Sequence, residues 1–452
     1  MSEAPPEARE PAGPLDVRRL IDDRPLGGFQ VGVAAICAAI VFLDGFDALI
    51  MSYVAPALRA QFHIKQADLG PVLSVGLIGM MVGALVFGPL ADRIGRRPVL
   101  LICPLIFGIG SLLAGSASSV PELLVFRLLT GLGMGGAMPN AIALTAEYMP
   151  RRIRAIAVTT MFCGFSLGSA AVGWVAALVI PSLGWPWVFR IGGLLPLVIA
   201  AVAFARLPES VRFLVRRHAG DPRAHRYVAR IAPGLGDAAT AAMLVVEDEP
   251  GGGVTRGFPV AQLFTGGRHW VTLLLWVMFF ANLLDLYFVN SWMPTIMKDV
   301  GLPEGRAIVI TTLFQVGGTV GAIVIGKLFD RALSFRGLAL GYLIAAICVF
   351  LIGESGTSTV WLILTVFAAG FGVIGAQNGA NAMAAEVYPT AARSTGVGWA
   401  LGVGRIGSIL GPNLGAMLVG TTPRLFVYAA VPLMLAATAA LVASVVHKET
   451  QS

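Results

Sequence analysis

Five charged side chains stand deep inside long apolar runs of this 452-residue chain: Asp44, Asp47, Arg127, Asp285 and Arg405. An ionic group held in hydrocarbon costs about 2.5 kcal/mol or more, so each is a candidate for chemistry. A carboxyl group in a dry cavity favours its protonated form, and an arriving anion favours it further. Arginine stays charged when desolvated and meets a carboxylate with a planar, two-pronged donor fork. Asp44 and Asp47 are i, i+3 neighbours on one helix face, so a single arginine could address both. At 1.5 Å per residue Asp44 lies about 22 Å from the start of its run and Arg127 about 9 Å from the opposite end of its own. In a core about 30 Å thick those depths nearly coincide. These residue types suit binding an organic anion and moving a proton.

The elements that must position them are membrane spans. The chain is 56% hydrophobic and only 13% charged, with mean hydropathy +0.80. That is about half the charge of a soluble domain, which excludes a water-soluble enzyme. The net charge of +7 resides in short loops rather than in one patch, which excludes a nucleic-acid binder. Twelve stretches approach the roughly 20 apolar residues a crossing needs. The first six are Phe29–Pro56, Leu69–Ala91, Pro98–Gly115, Pro121–Thr145, Ala155–Ile180 and Trp187–Arg206. The second six are His269–Pro294, Ala307–Ile325, Gly337–Gly353, Val360–Ala385, Ser394–Val419 and Leu425–Val446. The expected organisation is a cytoplasmic tail (1–27), a six-helix bundle (28–206), a cytoplasmic linker (207–268), a second bundle (269–446) and a cytoplasmic tail (447–452). With both termini inside, cytoplasmic segments carry 24 of the 32 Lys and Arg residues and external loops carry five, as the positive-inside rule requires. Cys37, Cys103, Cys163 and Cys348 lie at no metal-ligand spacing and read as packing residues.

A shift of 238 or 239 residues superposes the halves. It carries Asp47 onto Asp285, Pro56 onto Pro294, Gly88 onto Gly326, and Asp92–Arg93 onto Asp330–Arg331. Glu147, Pro150 and Arg154 fall on Glu386, Pro389 and Arg393, and Gly131 and Gly133 on Gly370 and Gly372. Two bundles in parallel register are related by an axis along the membrane normal and enclose a site between them, a geometry suited to rocking.

The segment Gly88-Pro-Leu-Ala-Asp92-Arg93-Ile-Gly95-Arg96-Arg97 resembles the signature loop of the major facilitator superfamily. Asp92 could accept hydrogen bonds at a neighbouring helix N-terminus, and the arginines could form pairs that break between states. A cytoplasmic gate is expected from Gly88, Asp92, Arg93, Gly95, Arg96, Glu147 and Arg154, with Asp330, Arg331, Glu386 and Arg393 in the second half. The run Leu43-Asp44-Gly45-Phe46-Asp47 is similar to the mark of the aromatic acid:proton symporters, and so are Arg127 through Asn140, Gln377 through Asn381 and Trp399 through Pro412. Pro208-Glu209-Ser210 is shared with sugar and organic-ion porters and marks only the wider superfamily.

The resemblance implies an all-α fold of twelve transmembrane helices in two pseudo-symmetric six-helix bundles. It implies import of a small aromatic carboxylate (benzoate-, hydroxybenzoate- or phenylpropionate-like) with protons, by alternating access, in a bacterial cytoplasmic (inner) membrane. Moving an anion into an inside-negative cell costs about 2.3 kcal/mol per 100 mV, which one proton cancels. Asp44 and Asp47 are the candidates for proton coupling. Arg127 and Arg405 are candidates to hold the carboxylate, Gln377, Asn378 and Asn381 to bond a ring hydroxyl, and Phe46, Tyr287 and Trp399 to flank the ring; Asp285 joins this set. The bland alternatives are an Asp–Arg lock, interhelical amide glue and aromatics facing lipid. Neither a cofactor nor a metal is implied, and no enzyme. Two other functions fit the same composition: export of organic solutes by proton antiport, and a non-transporting sensor of aromatic acids. The span from Met161 to Trp174 lacks the Gly-Pro pair antiporters tend to carry, which counts against export.

Overall fold

The computed structural model describes residues 15–65, 68–218, 220–233, 244–245, 261–265, 267–299, 301–332, 334–356, 358–388, 393–418 and 425–449. Nothing in water-free hydrocarbon bonds an exposed peptide group, so apolar runs of this length close their hydrogen bonds within themselves as helices. The first half comprises α1 (Val17–Asp23), α2 (Gly28–Ala48), α3 (Ile50–Phe62), α4 (Leu69–Ile94), α5 (Arg96–Ala114), α6 (Val120–Tyr148), α7 (Arg151–Leu183) and α8 (Pro186–Arg206). The linker carries α9 (Val211–Arg217) and α10 (Pro222–Ile231). The second half comprises α11 (His269–Asp299), α12 (Glu304–Ala332), α13 (Phe335–Glu354), α14 (Thr359–Val387), α15 (Arg393–Leu418) and α16 (Leu425–Glu449). Among the described residues eleven helices are long and apolar enough to cross a membrane. The twelfth, α15, is diluted by glycines, Arg405, Pro412 and Asn413. The all-α architecture of two six-helix halves is as the sequence implies.

The first span is not one helix. It breaks at Leu49 (φ −108°, ψ −2°) between α2 and α3, just past Asp44 and Asp47. Glycines set the helix spacing within each half. A Cβ on Gly79 would strike the Leu128 carbonyl of α6, and one on Gly317 the Phe367 carbonyl of α14, so α4–α6 and α12–α14 pack backbone to backbone in matching fashion.

The two halves meet through α4 against α15, α7 against α12 and α3 against α11. Their mutual side-chain hydrogen bonds among the described residues lie at mid-depth or toward the face opposite the termini. The hydroxyls of Tyr53 and Thr312 share one of 3.3 Å, and Asn413 Nδ2 donates to Ser74 Oγ at 2.9 Å. Gly173 seats directly on Thr312 and Gly70 on Asn413. The halves are therefore bridged on that far face.

On the near face the stretch expected as a tail is in part folded. β1 (Leu15–Asp16) pairs in parallel with β2 (Leu244–Val245) of the linker. α1 buries Val17, Leu20 and Ile21, and Asp22 accepts from the Arg151 N–H at 2.6 Å. An apolar stripe in a polar segment was the missed signal. The side chains of Cys163, Asp330, Arg331 and Arg393, and the surroundings of Gly326, lie outside what the structure describes.

Candidate functional site

The Asp-Gly-Phe-Asp run places its two carboxylates on the same turn but aims them apart. A Cβ on Gly45 would collide with the Phe165 carbonyl, so this glycine lets α2 press against α7, an approach fixed further by Ser169 Oγ donating to Gly45 O at 3.0 Å. With that face committed, Asp47 turns into its own bundle. Arg127 Nη1 donates to both of its oxygens, at 3.0 and 2.8 Å, and both side chains are buried. Gly76 leaves room for the guanidinium, whose carbon sits 5.6 Å from the Phe189 ring centroid. Removing one partner of such a buried pair strands a charge and costs about 3–5 kcal/mol.

Asp44 faces the other half. It is 1% exposed, and both carboxylate oxygens lack a hydrogen-bond partner among the described residues. The charges acting on it are Arg405 across the interface and Asp47 beside it. Tyr287 feels the same two groups, Arg405 and Asp44, and packs with Leu43, Leu77 and Met80 at the junction of the halves. Arg405 is half-buried there, and its sole hydrogen-bond partner among the described residues is Met80 Sδ, 3.9 Å from Nη1. A thioether is a weak acceptor, so the fork of Arg405 is available to a ligand in a way that Arg127 is not. The expectation that one arginine serves both aspartates is corrected: Arg127 holds Asp47, and Arg405 addresses Asp44.

The remaining candidates divide. Gln377 and Asn381 line one side of α14; Asn282 Nδ2 donates to Gln377 Oε1 at 2.6 Å and Gln377 Nε2 to Asn381 Oδ1 at 3.4 Å. Asn378 is exposed and donates to its own helix at Ile374 O. Asp285 is fully buried with neither oxygen bonded among the described residues. Phe46 is core of the first half, packed near Gly168 and Gly192. Trp399 shares the outer face of α15 with Ile406, Leu410 and Met417, stacked on Trp276 at 5.9 Å, about 120° around the helix from Arg405. The structure thus gathers Asp44, Arg405 and Tyr287, and leaves Phe46 and Trp399 apart from them.

The near-face loop also departs from expectation. Asp92 and Arg93 are exposed, and Asp92 has no hydrogen-bond or ion-pair partner among the described residues. Glu209 takes the role foreseen for Asp92: its Oε1 accepts from the N–H groups of Arg96 (2.9 Å), Arg97 (3.2 Å) and Ser210 (2.8 Å), at the positive end of α5. Gly95, at φ +103°, brings the backbone against that carboxylate, where a Cβ would overlap Glu209 Oε2. Arg96 Nε pairs with Glu147 Oε1 at 2.9 Å, and Ser210 Oγ donates to Glu147 Oε2. Arg154 reaches Asp22 at 3.7 Å. Glu386 is exposed, and a Cβ on Gly88 would meet nothing within 4 Å. Glu209 lay in a quoted motif, yet only the fold shows that the end of the sixth span returns to the start of the third.

Burial pushes the Glu209 carboxyl above its ordinary range, with Glu147 adding to the push and the three N–H groups opposing it. The folded state therefore favours the neutral form relative to the unfolded chain, so its contribution falls as pH rises through the raised value. Glu209→Gln, neutral with an acceptor oxygen retained, is expected to leave the melting temperature in detergent nearly unchanged. Glu209→Ala strands three donors and is expected to cost about 1–3 kcal/mol; equal melting of the two variants would contradict this account.

The Major Facilitator Superfamily model matches residues 36–412 and again 275–452. The chain is 44% identical over 406 residues to the 4-hydroxybenzoate transporter of Pseudomonas aeruginosa, covering 90% of each chain. It is 41% identical over 431 residues to the gallate transporter of Pseudomonas putida, covering 95% of each. Its fold matches the xylose transporter of E. coli in a partially occluded inward-open conformation with TM-score 0.71, at 16% identity over 94% of this chain and 98% of that one. The chain belongs to the major facilitator superfamily and, within it, to the branch that holds these aromatic acid transporters. These relatives and the structural neighbour are transporters rather than enzymes.

Proposed function

We propose that this protein imports a hydroxylated benzoate-like monocarboxylate together with protons, across a bacterial cytoplasmic membrane, with both termini in the cytoplasm. The observation that carries the reading is an unbonded, buried Asp44 facing an under-occupied Arg405 across the junction of the halves. Arg405 receives the carboxylate. Asp44 carries the proton, and the Asp47–Arg127 pair fixes the helix that presents it. Tyr287, between them, offers a ring face and a hydroxyl, and Gln377 with Asn381 suits a ring hydroxyl. The relatives' substrates support an aromatic acid with a ring hydroxyl, and the bias of basic residues supports the orientation.

In this orientation the bridged far face is external, and the conformation is closed to the outside. Release of the anion to the cytoplasm and loss of the proton from Asp44 complete the inward half-cycle. The direct test is uptake of 4-hydroxybenzoate into proteoliposomes: accumulation under an inwardly directed proton gradient supports the reading, whereas expulsion, or binding without flux, overturns it.

The bridging of that face carries its own prediction. One hydrogen bond contributes about 1 kcal/mol, so Asn413→Ala, which removes the bond to Ser74, is expected to shift the resting population about fivefold toward the outward-open state. Faster labelling of a cysteine introduced at Thr295, buried on α11 at the far-face junction with α3, in the Asn413→Ala background than with Asn413 intact would register it; equal rates would rule it out.

A further inference from the structure

Asp285 has no part in the scheme above, and the internal repeat says what it is. The offset of 238 carries Asp47 onto Asp285, and the offset of 239 that holds for spans four and ten carries Arg127 onto Val366. The first half has an aspartate clamped by an arginine; the second keeps the aspartate and has lost the arginine. Val366 is fully buried, and so is Asp285.

The surroundings of Asp285 supply no replacement cation among the described residues. Of the helices packed on α11, α15 carries Arg405, which acts on Asp44 and Tyr287 and bonds neither oxygen of Asp285, and Arg393 at its end. α3 offers Tyr53, bonded to Thr312, and Arg59 at its far end. α12 carries its charges at its ends (Glu304 and Arg306, then Lys327, Asp330 and Arg331), α14 only Glu386 at its end, and α16 Tyr428, His447, Lys448 and Glu449. What stands beside Asp285 is another orphan. Asn282, one turn earlier on the same face, has its Oδ1 unbonded while its Nδ2 donates to Gln377. An ionised Asp285 and Asn282 Oδ1 are both acceptors. A protonated Asp285 has one O–H to donate, and Asn282 Oδ1, three residues earlier on the same face, is an acceptor that lacks a donor.

The structure assigns to Asp285 a second proton-binding site, reached from the cytoplasmic side along Asn282, Gln377 and Asn381, so that two protons accompany each aromatic anion. This rests on the symport reading and deepens it. The balance is simple: one anion and two protons enter per cycle, moving one net positive charge inward, and both protons leave to cytoplasmic water. Transport is then driven by the membrane potential as well as by the pH gradient.

The test is a reversal-potential measurement of protons per 4-hydroxybenzoate in proteoliposomes. Wild type is expected to give two, with accumulation rising tenfold for about 59 mV of added inside-negative potential, the value for one net charge. Asp285→Asn is expected to give one, with accumulation insensitive to potential. Val366→Arg restores the missing clamp and is expected to give one as well, which keeps the test open should Asp285→Asn fold poorly. Substrate counterflow, which needs no net proton movement, reports that each variant is folded and binds. A wild-type count of one overturns the proposal, and so does a count of two that persists in either variant. A count of zero in wild type would instead remove the symport reading itself.

Discussion

Asp44→Asn is expected to abolish accumulation of 4-hydroxybenzoate under a proton gradient while leaving counterflow of the same anion in place. The substitution keeps shape and polarity and removes the only step in which Asp44 differs from an amide, the gain and loss of a proton. Asp44 has no hydrogen-bond partner to lose among the described residues, so structural damage should be small. Its nearest acidic neighbour, Asp47, is held by two bonds from Arg127 and is poorly placed to substitute for it. Accumulation should fall from many-fold to about the equilibrium level at every imposed pH gradient, and flux down a substrate gradient should persist. An Asp44→Asn variant that still concentrates the anion would transfer the coupling to another group and end the assignment.

Arg405→Ala is expected to weaken substrate binding by about 10- to 100-fold. A hydrogen bond to a charged group contributes about 1.5–3 kcal/mol, and each 1.4 kcal/mol is a factor of ten in Kd. Arg405→Lys keeps the positive charge and loses the planar fork, so it should recover only part of the loss. The difference between the two replacements separates the field of a cation from geometric recognition of a carboxylate. Titration calorimetry on the detergent-solubilised protein reads this directly. Arg127→Lys serves as the contrast: it disturbs a pair internal to the first half and should lower the melting temperature more than the affinity. Unchanged affinity in Arg405→Ala would return the anion to Arg127, and with it the whole arrangement of the site.

The far-face contacts and the near-face clamp differ in kind. Tyr53–Thr312 and Ser74–Asn413 join one half to the other, so they must open in each cycle. The bonds of Glu209 and Glu147 lie within the first half and its linker and can persist through the cycle. Exposed Asp92 and Arg93, with the open space over Gly88, are the parts of that loop left available to a partner in another state. The relatively modest far-face bridging fits a protein whose two conformations must remain within a few kcal/mol of each other.

Much of this was readable along the chain. Span number, bundle symmetry and the short roster of deep charges follow from quantities that need only one dimension: the length of apolar runs, the offset of repeated landmarks and the cost of placing an ion in hydrocarbon. The partners of those charges were not readable in the same way. Asp44 and Asp47 sit only about 60° apart around α2, and which of them looks inward to Arg127 and which across to Arg405 depends on how far α2 is rotated. That rotation is set where Gly45 meets the Phe165 backbone, two residues separated by 120 positions in sequence. The same holds for Glu209 in place of Asp92, and for Trp399 turned out toward lipid. Composition and periodicity decide that a helix forms and that it is apolar enough to span a membrane; the angle at which it faces its neighbours is decided only when all the backbones come into contact.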